Sequence, residues 1–98
     1  SDVSDIMNSI EDNNVYLFGA HIFSQTLLNF GLDEKKIISI LDNDPKKKDR
    51  RLYGTNLKIE SPEVLSGIDN PIVILRAGVY TEEISAQILK INPSTKFV

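Results

Sequence analysis

The chain has 98 residues, 41% of them hydrophobic and 26% charged, the composition of an ordinary globular domain with room for one modest core. A net charge of −3 lacks the basic footprint of a nucleic-acid binder, and apolar runs of about five residues fall far short of the roughly 20 needed to span a bilayer. With no Cys and one His, the sequence has no disulfide, thiol nucleophile, thiolate metal site or His-rich metal site.

No signal peptide precedes the first acidic residues, so a cytoplasmic domain is expected. The start at Ser1 rather than at a Met suggests a piece excised from something longer. Val3, Ile6, Met7 and Ile10 recur at helical spacing, which predicts an amphipathic helix over 2–12 that Asn13-Asn14 ends. It reads either as the tail of a linker helix from an absent upstream domain or as a helix packed on this domain. Val15-Tyr-Leu-Phe18 is too short for a buried helix and rich in strand-favouring types. Gly19-Ala20 permits a tight turn, and Phe23, Leu27 and Phe30 then recur at helical spacing from about His21. Gly31 sits where a left-handed residue closes a helix.

After the polar Asp33–Lys36 connection, Ile37–Leu41 is β-branched and nearly all apolar, as a strand covered on both faces should be. Asp42–Arg51 carries five cations and three carboxylates and reads as a solvated loop. Leu52–Glu60 follows as a turn and a short edge strand. Ser61-Pro62-Glu63 combines an N-cap, a first-turn Pro and a first-turn acid, opening a short helix that Gly67 closes. Asn70-Pro71 introduces the strand Ile72–Leu75. Thr81-Glu82-Glu83 opens a last helix whose inward face is Ile84, Ile88 and Ile91 with Tyr80 above; Asn92-Pro93 stops it before a final strand from Lys96. The pattern predicts an α/β fold: one three-layer domain with a parallel sheet of about four to five strands in the order 3-2-1-4-5. It divides as a linker helix over 1–13 and the domain proper over 14–98.

Parallel strands carry the loops Gly19-Ala20, Asp42-Asn43-Asp44 and Arg76-Ala77-Gly78 to one edge, where open α/β sheets bind ligands. Gly19-Ala-His-Ile-Phe-Ser24 is a degraded G-x-G-x-x-G fingerprint: His21 and Ser24 replace its second and third glycines. Asp42 follows Gly19 by 23 residues, near the place of a ribose-binding acid. A helix N-terminus at His21 offers N–H groups to an anion, while the imidazole itself either meets that anion or merely contacts a neighbouring loop. Asp42 and Asp44 are a carboxylate pair for metal or acid–base work, or, with Pro45 next, a self-capping turn. Arg76 is either a phosphate or carboxylate clamp or a salt-bridge partner for Asp42 or Asp44.

The run Phe18–Leu32, then Ile40-Leu-Asp-Asn-Asp-Pro-Lys46, then Arg51-Leu-Tyr-Gly-Thr-Asn-Leu57 with Ser61-Pro62, resembles the C-terminal domain of sugar C-methyltransferase-type proteins. The resemblance covers roughly residues 14–98 and implies a Rossmann-like domain at the end of a larger enzyme of deoxysugar and surface-polysaccharide pathways. It implies that S-adenosylmethionine and the catalytic base belong to an absent upstream domain, with no cofactor, metal or catalytic residue in this chain. By position it carries over Gly19, Ala20, His21, Asp42, Asn43, Arg76, Ala77 and Gly78 as the edge that holds a nucleotide-sugar or other small anion. Tyr53, Gly54 and Thr55 match the pattern as turn and packing residues. The implied partners are that ligand and the upstream methyltransferase domain, with a homodimer a further candidate and neither nucleic acid nor membrane. Two alternatives stay open: a stand-alone NAD(P)- or nucleotide-binding domain, and a structural or oligomerisation domain with a vestigial cleft.

Overall fold

Val15–Phe18 forms β1 with every residue buried, as four apolar residues in a row require when a strand is covered on both sides. The structure, a computed structural model, describes residues 14–20, 31, 33–75 and 81–98. The helices expected over 2–12 and from His21 to Phe30, together with Tyr80, lie outside the described residues. β1 is central. It pairs in parallel with β2 (Ser39–Leu41) through Tyr16↔Ser39, Leu17↔Ile40 and Phe18↔Leu41. On its other side it pairs with β4 (Ile72–Ile74) through Val15↔Ile72, Tyr16↔Val73 and Leu17↔Ile74. β3 (Ile59–Glu60) and β5 (Lys96–Phe97) form the edges, giving a five-stranded parallel sheet in the order β3-β2-β1-β4-β5. This is the expected α/β fold and strand order.

Period-2 alternation divides the side chains between two faces. Val15, Leu17, Ile40, Ile59 and Ile74 share one cluster with Leu52 and Leu57. Tyr16, Phe18, Leu41, Val73 and Leu75 share the other with Leu65 and Ile88. The second face is covered by helix α1 (Thr81–Ile91). There Ile88 is fully buried, with Ile84 and Ile91 half-buried beside it. Burying one such side chain contributes about 1.5–3 kcal/mol.

β2 and β4 are shorter than their apolar runs. Ile37 donates its N–H to the Glu34 carbonyl at 3.1 Å and closes a 3₁₀ turn over Glu34–Lys36, so β2 starts only at Ser39. The expected short helix after Ser61 is a 3₁₀ turn over Pro62–Leu65, with the Ser61 hydroxyl accepting from the Glu63 N–H at 3.3 Å. Gly67 (φ 81°) ends it as expected.

The Asp42–Arg51 segment is more than a solvated loop. Its far end turns back along the outer side of β3: Asp49 N–H donates to Ile59 O at 2.8 Å, and Ile59 N–H to Arg50 O at 2.7 Å. Leu52 N–H donates to Leu57 O at 2.9 Å beside an antiparallel Arg51↔Lys58 bridge. This arm protects an otherwise open sheet edge and buries Leu52 and Leu57.

Candidate functional site

All five strands run the same way, so the residues after β1 and β2 emerge at the same carboxyl edge. Gly19 continues the ladder by donating its N–H to Leu41 O at 2.8 Å, then turns with φ 109°. That left-handed conformation strains any residue with a Cβ. Ala20 follows, buried, and both of its main-chain polar groups are held from the β2 loop. Its N–H donates to Asp42 Oδ2 at 3.0 Å, and its carbonyl accepts from Lys47 Nζ at 3.0 Å. Lys47 Nζ also lies 3.8 Å from Asp42 Oδ2.

The loop after β2 is built from two successive side-chain-capped turns. Asp42 Oδ1 accepts the Asp44 N–H at 2.8 Å, and Asp44 Oδ1 accepts the Lys46 N–H at 2.9 Å. Short acidic side chains favour such turns because they bond to the backbone two residues on. The Asp42/Asp44 pair is therefore a turn former. Among the described residues, no group of three His, Cys, Asp or Glu side chains could hold a metal ion. The Asp42 carboxylate accepts from the Ala20 and Asp44 N–H groups and lies 3.8 Å from Lys47 Nζ.

Asn43, between these two aspartates, reaches to α1. Its Nδ2 donates to Gln87 Oε1 at 2.9 Å, and Gln87 Nε2 donates back to Asn43 Oδ1 at 2.8 Å. Beside this reciprocal pair lies a hollow of about 470 Å³ lined by Asn43, Glu83, Ile84 and Gln87. It adjoins a larger one of about 760 Å³ between α1 and the Pro62–Leu65 turn, lined by Glu63, Glu83, Ala86, Gln87, Lys90 and Ile91. Both have the size range of small-molecule clefts, and among the described residues only Asn43 of the expected site residues borders either.

The structure thus brings together Gly19, Ala20, Asp42 and Asn43; His21, Arg76, Ala77 and Gly78 lie outside the described residues. Thr55 acts as a turn residue, its hydroxyl bonding Leu52 O at 2.8 Å and accepting the Leu57 N–H at 3.0 Å. Lys47 and Gln87 were not foreseen. The sequence cue for Lys47 was a cation five residues after Asp42, inside a run of cations; for Gln87, an outward helical position, there was none.

A parallel sheet in this order, with a glycine turn after its first strand and a polar loop after its second, defines a Rossmann-like α/β domain. The chain belongs to the family described as the C-methyltransferase C-terminal domain, whose sequence model matches residues 4–98. Comparisons with curated proteins and with solved structures give no match. Among the described residues, no helix is long and apolar enough to cross a membrane.

Proposed function

We propose that this chain is an accessory, substrate-holding domain of a methyltransferase acting on nucleotide-sugars, and that it is not catalytic alone. The membership of the C-methyltransferase C-terminal domain family carries the reading. The edge formed by Gly19, Ala20, Asp42 and Asn43, joined by sequence position to His21 and Arg76–Gly78, is where the ligand binds. S-adenosylmethionine and the methyl-transfer base belong to an upstream domain, the natural partner of this one, in a cytoplasmic enzyme. The sequence supports this division, since it contains no intact glycine-rich methyl-donor loop.

The commitment of Asp42 to Ala20, Asp44 and Lys47 weighs against a stand-alone NAD(P) domain, which needs that carboxylate for the ribose. A thermal-shift screen of the chain with nucleotide-sugars, NAD(H), NADP(H) and S-adenosylmethionine tests the proposal. Ligand at a hundredfold excess over Kd stabilises by about 2.7 kcal/mol, and each kcal/mol moves Tm by about 4–8 °C in a domain of this size. The proposal expects that shift with nucleotide-sugars and none with S-adenosylmethionine. A shift with NAD(H) alone would favour the stand-alone reading. No shift with any ligand would favour a structural domain with a vestigial cleft.

A further inference from the structure

The run Lys46-Lys47-Lys48 looks like solvated charge, yet the three lysines differ. The two side-chain-capped turns made by Asp42 and Asp44 bring the chain back on itself, with Lys47 N–H donating to Asp44 O at 3.0 Å. This returns Lys47 Nζ to the sheet edge, 3.0 Å from Ala20 O and 3.8 Å from Asp42 Oδ2. Lys46 and Lys48 are exposed. An ammonium has three N–H donors. One serves Ala20, Asp42 attracts a second, and a side chain 40% exposed leaves the third accessible at the edge.

Asp42 is the inward half of the pair. Its side chain is only 14% exposed, and its two oxygens accept main-chain N–H groups from Ala20 and Asp44. Its negative charge is therefore opposed by two amide dipoles and one ammonium, so an anion arriving at the edge meets Lys47 first.

We propose that Lys47 is the anion-contacting residue of this edge, that Asp42 is a positioning residue behind it, and that the ligand presents a phosphate or diphosphate group there. The inference rests on the ligand edge proposed above and adds which side chain meets the charge. It reverses the roles usual in a dinucleotide-binding domain, where the acid after the second strand receives the ribose. At this edge the phosphate supplies the recognition and Asp42 does not touch the sugar.

The test is calorimetric titration of inorganic pyrophosphate and of uridine diphosphate into the chain and its Lys47→Met, Lys47→Arg and Asp42→Asn variants. Titrations are made at low and high salt, with circular-dichroism melting in parallel. Lys47→Met should weaken both probes about 10- to 100-fold, as loss of one hydrogen bond to a charged group does. It should also flatten their salt dependence, and Lys47→Arg should restore both. A role confined to holding Ala20 would lower melting without changing the salt slope. Asp42→Asn should change both affinities by the same factor, because it acts through Ala20 and Lys47. If Lys47→Met does not fold, Lys47→Gln, which can still donate to the Ala20 carbonyl, gives the same comparison. Wild-type affinity in a folded Lys47 variant that lacks the charge would overturn the inference while leaving the ligand edge standing. Loss of uridine diphosphate affinity alone in Asp42→Asn would instead make Asp42 a ribose contact. A wild type that binds neither probe would overturn the anion edge itself, and the inference with it.

Discussion

Asn92 provides a sharp test of how this fold is held together. The residue is 7% exposed, and all of its side-chain hydrogen-bonding capacity is accounted for. Nδ2 donates to Leu65 O and to Ile68 O, both at 2.7 Å, while Oδ1 accepts from Ser94 N at 3.0 Å and Ser94 Oγ at 2.7 Å. One amide thus ties the end of α1 to the turn after Pro62–Leu65, the two walls of the larger hollow. Asn92→Ala removes four bonds, each worth about 0.5–1.5 kcal/mol net, while the Leu65 carbonyl keeps the Ile68 N–H at 3.1 Å. Water can reach the less buried Ile68 carbonyl, and Ser94 is exposed, so the expected loss is about 2–4 kcal/mol. In a domain of typical stability, about 5–15 kcal/mol, that is a large fraction. Asn92→Asp replaces the donor with an oxygen facing two carbonyls, and should cost at least as much as Ala. Urea unfolding followed by circular dichroism reads both as a lower midpoint at unchanged m. An Asn92→Ala loss below about 0.5 kcal/mol, or an Asp variant as stable as wild type, would refute the assignment of this amide as a structural tie.

Two further perturbations test the face beneath α1. Ser39 is 2% exposed, and its Oγ has no hydrogen-bond partner among the described residues. Ser39→Ala should therefore raise unfolding stability by about 1 kcal/mol, since an unpaired buried hydroxyl is unfavourable; a loss of that size in urea unfolding would show that the hydroxyl is paired. Tyr16, opposite Ser39 in register, has its phenol pKa raised above 10.0, first by burial and then by the negative charge of Glu60. A raised value favours the neutral phenol in the folded state. This contribution is complete below pH 10.0 and is lost as pH rises through the higher folded value. Unfolding free energy should fall at alkaline pH in wild type and fall less in Tyr16→Phe; equal alkaline slopes would contradict the burial of this group.

The strand order was legible because each central strand lies in an apolar or nearly all-apolar run and each connection is long enough to cross over. Strand ends were not, because backbone competition sets them: the Glu34–Lys36 turn captures the Ile37 N–H before β2 can. Likewise Ser61-Pro62-Glu63 starts an α-helix or a 3₁₀ turn equally well, and the observed turn extends only from Pro62 to Leu65. The return of Asp49–Arg51 along β3 is made through main-chain bonds, which leave no side-chain periodicity to read. At the site, glycine and acid positions carried information. The Asn43–Gln87 pair spans 44 residues, and Lys47 is chosen from its neighbours by the geometry of two turns. Neither relation is local in sequence. Asn92 read as a helix stop; its four bonds depend on a turn more than 20 residues earlier.

The central claim, that a nucleotide-sugar is held at the carboxyl edge of β1 and β2, is tested most directly by titrating one into the ¹⁵N-labelled chain and following amide chemical shifts. The account predicts saturable changes concentrated at Gly19, Ala20 and Asp42 to Lys47, the residues joined by the Ala20–Asp42–Lys47 contacts. Changes confined to Glu63, Glu83 and Lys90 along α1, or no changes with any nucleotide-sugar, would contradict it.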